Sequence, residues 1–171
     1  MTIDSEAMSI RMLTTQLGEA LAERQWQVVC AESCTGGGLA FELSAVPGCS
    51  RWFDRAFVAY SNDAKHETLG VSHSLMIEHG AVSSECVAAM TAGSLKRSSA
   101  RFAMAASGVA GPGGGSEEKP VGTVWLAWQV GGRAALTQKV WFAGERDEIR
   151  AQTIRALVQG ALEQVQVKVQ S

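Results

Sequence analysis

The chain has 171 residues, a net charge of −2 and a hydrophobic fraction of 46%, values that are ordinary for one globular domain with its own core. No basic tract interleaved with aromatic residues is present, which disfavours nucleic acid as a partner, and no apolar run is long enough to cross a bilayer. The first ten residues, MTIDSEAMSI, carry acids where a signal peptide requires basic residues, so we expect a cytoplasmic protein.

Hydrophobic periodicity and capping residues predict alternating helices and strands over the first two thirds of the chain. These elements are, in chain order, a helix over 8–24, a strand at about 27–32, a helix at about 35–45, a strand over 53–60, three helices capped by Ser61, Ser72 and Ser83 that end near Gly70, Gly80 and Ser98, and a strand over 102–107. The strands are short and apolar, as expected inside a sheet that is covered on both faces.

The last third of the chain combines a glycine-rich loop, a hairpin and a helix. The loop over 108–120 reads GVAGPGGGSEEKP and breaks regular structure by every local rule. Strands over 121–130 and 134–142 flank Gly131-Gly132, which is typical of a hairpin, and a final helix begins near Glu145. We therefore predict an α/β fold: a single three-layer α/β/α domain spanning all 171 residues, with a mainly parallel mixed sheet and a late β-hairpin.

Three turns of the predicted fold follow the carboxyl ends of strands, where ligands bind in open α/β sheets. They are 33–38 after the first strand, 60–65 after the second and 107–115 after the third. We therefore expect the functional site to lie among these three turns.

The first turn, within AESCTGGG at 31–38, holds two candidate nucleophiles. Ser33 is either the N-cap of the next helix or a nucleophile; if Thr35 is the cap, Ser33 is left at a helix N-terminus that stabilises negative charge. Cys34 is either a small buried hydrophobe or a thiol made reactive by the same terminus. Strand alternation places the two side chains on opposite sides, and the residues alone leave both alternatives open for Ser33.

The second turn, within AYSNDAK at 59–65, supplies a candidate base. Tyr60 is the only tyrosine of the chain, and it is either a solvent-facing residue at the end of a strand or a functional phenol. Lys65 alone would be taken as solvated, but a serine nucleophile needs a base and no histidine lies in a segment placed at the cleft. A lysine desolvated beside a phenol can serve as that base.

The glycine loop matches neither a Walker loop nor a dinucleotide fingerprint. It is either a flexible connector or a nest of backbone amides for a phosphate or carboxylate. Arg146 and Arg150, at the start of the last helix, either form surface ion pairs or grip a phosphate. The four cysteines include no C-x-x-C pair and the three histidines show no ligand spacing, so we expect neither a metal nor a cofactor.

Four stretches together resemble the CinA C-terminal family over nearly the whole chain: AESCTGGG, AYSNDAK, SGVAGPGGGSEEKPVGTVW at 107–125 and GERDEIR at 144–150. The resemblance is strongest to stand-alone members that are nicotinamide-nucleotide amidases. It implies a compact α/β fold, usually a homodimer, and no metal. Longer members carry an extra N-terminal domain that resembles molybdopterin-binding proteins, which we do not expect in this chain.

The resemblance also implies a reaction and the residues that perform it. Family members hydrolyse the carboxamide of nicotinamide mononucleotide to nicotinate mononucleotide and ammonia, which returns the nucleotide to NAD synthesis. By position in the motifs, Ser33 corresponds to the nucleophile, Tyr60 and Lys65 to a proton-handling pair, and Arg146 to a cleft arginine.

Interpreted as acyl transfer, this chemistry assigns binding roles to backbone groups of the turns. Amides around Thr35, Gly36 and Gly37 are candidates for holding the oxyanion. The glycine loop, including Gly108 and Gly111, is with the cleft arginine a candidate for the substrate phosphate. Two alternatives remain: a non-catalytic nucleotide-binding or competence-associated interaction module, and an amidase that uses the cysteine of the first turn.

Overall fold

A computed structural model describes residues 8–167 of the chain. Its helices are α1 Ile10–Glu23, α2 Gly38–Ser44, α3 Asn62–Leu69, α4 His73–His79, α5 Ser84–Lys96 and α6 Arg146–Gln166. Its strands are β1 Val28–Glu32, β2 Phe53–Val58, β3 Phe102–Gly108, β4 Thr123–Val130 and β5 Leu136–Trp141. Most of the acidic stretch that argues against a signal peptide, residues 1–7, lies outside the described residues.

The predicted elements are confirmed, although several ends are displaced. The helix predicted at about 35–45 begins only at Gly38, because Gly36 and Gly37 adopt positive φ angles of 56° and 95° in the preceding turn. The connection between β4 and β5 spans 131–135, which is longer than the three residues left between the two predicted strands. The local sequence therefore predicts where each element lies. The residue at which it begins or ends depends on the backbone angles of the neighbouring turn.

The sheet has the strand order β2-β1-β3-β4-β5. Strand β1 pairs in parallel with β2 and with β3, whereas β4 is antiparallel to both β3 and β5. Four of the five strands therefore run in the same direction, and only β4 is reversed. This arrangement confirms the predicted mainly parallel mixed sheet with a late hairpin.

Helices cover both faces of the sheet and enclose two hydrophobic clusters. Helices α1, α2 and α6 pack on one face, and α3, α4 and α5 on the other. Alternation along β1 and β3 sends Cys30 and Met104 into the first cluster, and Ala31 and Ala105 into the second. The alanines leave the second face nearly flat, so α5 can lie close to the central strands.

The central position of β1 fixes the turn that follows it. The amide of Ser33 donates to the carbonyl of Ala106, at 3.2 Å, and the amide of Ala59 donates to the carbonyl of Glu32, at 2.8 Å. Backbone pairing therefore continues past the end of β1 toward both neighbouring strands. The turns after β1, β2 and β3 meet at one edge of the sheet, as predicted.

Candidate active site

The structure brings Ser33 and Lys65 together beneath the surface. The Lys65 ammonium Nζ donates to Ser33 Oγ at 3.0 Å and to the backbone carbonyl of Tyr60, also at 3.0 Å. Lys65 is only 2% exposed and Ser33 only 7% exposed. A lysine is rarely buried to this degree unless it is paired or functional, and within residues 8–167 Lys65 forms no ion pair.

Local capping explains how Lys65 reaches this position. The Ser61 hydroxyl accepts from the amide of Ala64 at 3.0 Å and so begins α3, which places Lys65 one turn into the helix. Ser33 does not cap α2, because the N-cap residue is Gly37 and it makes no side-chain capping bond. The Ser33 hydroxyl is therefore left for Lys65, which resolves the N-cap alternative against a capping role.

A buried carboxylate that the sequence did not single out holds the turn. Glu32 is fully buried, and its carboxylate accepts from the Thr35 hydroxyl at 2.6 Å. It also accepts from the amides of Gly37, Leu39 and Ala40, at 3.1, 3.0 and 2.8 Å. The suggestion that Thr35 caps α2 is wrong, because Glu32 performs that task. The available signal was an acid that ends an otherwise apolar strand.

Burial changes the proton affinity of Lys65. Removing the ammonium from water disfavours its charged form, so burial lowers the pKa of Lys65. The neighbouring thiols of Cys86 and Cys34 act in the opposite direction. A lowered pKa raises the fraction of neutral amine near pH 7, and only the neutral amine can accept a proton.

The same environment makes Cys34 a poor nucleophile. Its side chain is 4% exposed and belongs to the cluster under α1, α2 and α6. Burial raises the pKa of the Cys34 thiol to about 11, and the Glu32 carboxylate adds to this rise. Because the thiolate is the reactive form, Cys34 is protonated at neutral pH, which argues against a cysteine amidase.

The phenol of Tyr60 is hydrogen-bonded to an arginine, not to the lysine. The Tyr60 hydroxyl accepts from Arg146 Nη2 at 2.9 Å, and Arg146 Nη1 donates to the carbonyl of Gly111 at 2.6 Å. The hydrogen bond between Tyr60 and Lys65 is made by the backbone carbonyl of Tyr60. Tyr60 and Lys65 thus line one cavity, but the phenol is bonded to Arg146, which bridges the second turn and the glycine loop.

The predicted residues surround a cavity of about 190 Å³. Ser33, Lys65, Tyr60 and Arg146 all line it, and so does Cys34, which strand alternation had placed on the opposite side from Ser33. The cavity also has lining residues that the sequence did not single out: Asn62, Ala81, Val82, Ser107 and Ala110. A larger cavity of about 580 Å³ lies around Trp26, Phe102 and Trp128, toward the other end of the strands. The smaller cavity holds the reactive groups, so chemistry rather than size identifies the site.

Ser107 contributes a hydroxyl to the cavity wall. It is the second-last residue of β3 and lies next to Ser33, since Glu32 and Ala106 are paired in the parallel ladder, and it is 2% exposed. It lies at the start of the SGVAGP segment, in which the glycines give the stronger sequence signal.

The backbone amides of the first turn are not all open to a ligand. The amide of Gly36 donates to the carbonyl of Ser33 at 3.0 Å, and the amide of Gly37 donates to Glu32. No acceptor within residues 8–167 binds the amides of Cys34 and Thr35. Of the backbone amides expected to hold an oxyanion, those of Gly36 and Gly37 are thus already bonded, whereas the Thr35 amide is open to a ligand, as is that of Cys34.

The glycine loop reaches the cavity, whereas Arg150 does not line it. Gly108 lines the cavity, whereas Gly111 contributes its carbonyl to Arg146. Arg150 donates from Nη2 to the carbonyl of Thr35 at 3.2 Å and pairs with Asp147 at 3.3 Å. Arg150 therefore braces the outside of the first turn.

Two further features bear on the class of protein. Among residues 8–167, no group of three or more His, Cys, Asp or Glu side chains is arranged to hold a metal ion. Over the same range, no helix combines the length and the apolarity that a membrane span requires.

The fold and the site define a three-layer α/β protein with a polar cleft at the carboxyl ends of its parallel strands. A family model described as the CinA C-terminal domain matches residues 10–166. The chain belongs to the CinA C-terminal family.

Similar proteins cover nearly the whole chain. A protein from Pseudomonas putida named nicotinamide-nucleotide amidohydrolase PncC is 51% identical over 154 residues, which are 90% of this chain and 96% of the relative. A protein of the same name from Escherichia coli strain K12 is 47% identical, over 87% of this chain and 88% of the relative. The crystal structure of competence damage-inducible protein A from Klebsiella pneumoniae superposes with a TM-score of 0.91 at 36% identity, covering 94% of this chain and 99% of that one.

Proposed function

We propose that this chain is a nicotinamide-nucleotide amidohydrolase that converts nicotinamide mononucleotide to nicotinate mononucleotide and ammonia with Ser33 as the nucleophile. Relatives that carry this activity in their names are about half identical over almost their full length. The observation that carries the mechanism is the buried contact of 3.0 Å between Lys65 Nζ and Ser33 Oγ. The reaction would return nicotinamide nucleotide to NAD synthesis in the cytoplasm, and we further propose a homodimer, as the family resemblance implies.

The first half of the reaction is acylation of Ser33. Neutral Lys65 keeps one N–H on the Tyr60 carbonyl, which leaves its lone pair free to accept the proton of the Ser33 hydroxyl. The Ser33 oxygen then bonds to the carboxamide carbon, and the carbonyl electron pair moves onto oxygen. When the tetrahedral intermediate collapses, the C–N bond breaks, Lys65 returns the proton to the departing nitrogen, and ammonia leaves.

The second half is hydrolysis of the ester on Ser33. A water molecule replaces ammonia, gives one proton to neutral Lys65 and attacks the ester carbon. The bond to Ser33 Oγ breaks, Lys65 returns the proton to Ser33, and nicotinate mononucleotide is released. The lysine thus acts as base and acid in turn, and the proton transfers of the cycle need no group beyond this pair and water.

The negative oxygen of both intermediates needs hydrogen-bond donors. The unoccupied amides of Cys34 and Thr35 follow Ser33 directly, and donors at that position can lie about 3 Å from the oxyanion of an ester or amide bound to the serine. Since they are held in place before the reaction, they lose little free energy to reorganisation.

The cavity indicates how the nucleotide lies. Its volume of about 190 Å³ is below the roughly 300–1,000 Å³ of typical ligand sites, so it takes the amide end while the ribose phosphate stays at the mouth. Arg146 is exposed at that mouth and can exchange its bond to Tyr60 or Gly111 for the phosphate.

The test of the function is direct. Purified protein is incubated with nicotinamide mononucleotide, and ammonia and nicotinate mononucleotide are measured together. We expect equal amounts of both products, with Ser33→Ala as the matched inactive protein. Binding of the nucleotide without either product would favour the non-catalytic module. That alternative requires a charged lysine as anchor, whereas the site disfavours the charge.

A further inference from the structure

One residue clamps both ends of the turn that carries Ser33. On the strand side, the carbonyl of Glu32 accepts from Ala59 at 2.8 Å, and its backbone is paired with Val58 of β2 and Ala106 of β3. On the helix side, its carboxylate receives the Thr35 hydroxyl and three amides at the start of α2. Glu32 therefore ties the intervening residues both to the central strand and to the helix, alongside the bonds from the Ser33 amide to Ala106 and from Arg150 to the Thr35 carbonyl.

The Glu32 carboxylate bonds only some of the backbone amides in the turn. Gly37, Leu39 and Ala40 give their amides to Glu32, and Gly36 gives its amide to the Ser33 carbonyl. Among residues 8–167, the amides that find no acceptor in this stretch are those of Cys34 and Thr35. The carboxylate thus satisfies the helix start without occupying the two amides next to the nucleophile.

Burial makes this arrangement costly unless it is complete. A fully buried carboxylate is tolerated only when hydrogen bonds replace its water. Four donors at 2.6–3.1 Å do so here, and the groups contacting the carboxylate are donors rather than a basic side chain. An arrangement that needs four correct distances permits one geometry of the turn, which is how supporting residues hold catalytic groups in register.

We infer that Glu32 is a positioning residue that fixes Ser33 and the two adjacent amides in their reactive geometry. The role rests on the proposed function only in its assumption that Ser33 is a nucleophile. Glu32 touches neither Lys65 nor the reacting atoms, so it acts through the turn.

A substrate-independent reagent measures this role. A fluorophosphonate forms a bond from Ser33 Oγ to phosphorus and releases fluoride, while the serine proton passes to Lys65. Loss of folded protein lowers the amplitude of labelling, whereas a misplaced turn lowers the rate constant. Glu32→Gln keeps the shape but sets an NH₂ group against backbone donors. We expect its rate constant to fall about ten- to hundredfold at full amplitude, the range seen when orienting groups are lost.

Two other variants keep the test decisive. Thr35→Val keeps the shape and removes one donor, so we expect a drop of about two- to tenfold, and it serves if Glu32→Gln does not fold. Thr91→Val is the matched control, because Thr91 is equally buried and bonds to Gln129 at 2.8 Å away from the turn. It should keep the wild-type rate constant, even with a lower melting temperature.

The outcomes separate this inference from the proposed function. Wild-type rate constants in both Glu32→Gln and Thr35→Val would overturn the positioning role. Labelling of the wild type without turnover of nicotinamide mononucleotide would reject the proposed substrate and leave the labelling comparison valid. If the wild type turns over nicotinamide mononucleotide but is not labelled, the wild type and Glu32→Gln are compared by their kinetics instead. The kcat of Glu32→Gln should then fall while KM changes less than about twofold. A wild-type protein that shows neither labelling nor turnover would overturn both the positioning role and the proposed function.

Discussion

Replacing Lys65 by arginine tests whether this residue is a base or a charged anchor. Lys65→Arg keeps a positive charge, but a guanidinium does not lose its proton in the range where proteins are stable. Positioned general bases contribute about 10²- to 10⁴-fold, so we expect kcat to fall at least about a hundredfold. An electrostatic anchor would tolerate the exchange.

The size of the effect follows from the surroundings of Lys65. A lysine with its ordinary pKa of about 10.4 is neutral in only about one molecule in a thousand near pH 7.4. Each pH unit by which burial lowers that pKa raises the neutral fraction about tenfold. The structure supplies this shift through the near-complete burial of the side chain.

The assay is ammonia release from nicotinamide mononucleotide over a range of pH. The base must be neutral, so wild-type kcat/KM should rise as pH increases through the folded-state pKa of Lys65, with an apparent pKa below that of free lysine. Lys65→Met removes the ionisable group and keeps the length of the side chain. It should lose both the turnover and the rise of kcat/KM with pH. Lys96→Arg, at an exposed position on α5, is the matched control. Near wild-type turnover by Lys65→Arg would refute the assignment of Lys65 as the base.

Three other predictions address the metal, the arginine bridge and the packing of α5. Activity should survive exhaustive chelation, because nucleophile and base are both side chains; loss that Zn²⁺ restores would contradict this. Tyr60→Phe should raise KM more than it lowers kcat and should leave the pH dependence of kcat/KM unchanged, because the Tyr60 phenol holds Arg146. A shifted pH dependence in the same kinetic measurements would instead indicate that Tyr60 relays a proton. Gly93→Ala should destabilise the fold by about 1–3 kcal/mol in urea unfolding, because a β-carbon would collide with the backbone carbonyl of Leu69; Ala89→Gly, on the same helix, should cost only about 1 kcal/mol.

Sequence patterns located the site because its main parts are short and local. Ser33 and Lys65 each lie in a turn after an apolar strand, and the rule for open sheets brings such turns together. Their predicted proximity agrees with the observed contact. The late hairpin also predicted a mixed sheet, as observed, whereas the strand order β2-β1-β3-β4-β5 comes from the structure.

Other parts of the site depend on contacts that no local pattern contains. The Tyr60 phenol meets Arg146 across 86 positions of the chain, so sequence could place both in the cleft but could not pair them. The choice between Thr35 and Glu32 as the group that begins α2 depends on the positive φ angles of Gly36 and Gly37. A buried acid at the end of a strand gives no periodic signal, and its role emerged only from its four donors.

Ammonia release by Ser33→Ala and Cys34→Ala, measured side by side on nicotinamide mononucleotide, tests the assignment of the nucleophile most directly. Both changes remove one heavy atom from buried neighbours in the same turn, so each controls for the other, and thermal melts verify that both proteins are folded. We expect Ser33→Ala to lose turnover entirely above background and Cys34→Ala to keep most of it. An active Ser33→Ala protein together with an inactive Cys34→Ala protein would contradict the serine mechanism.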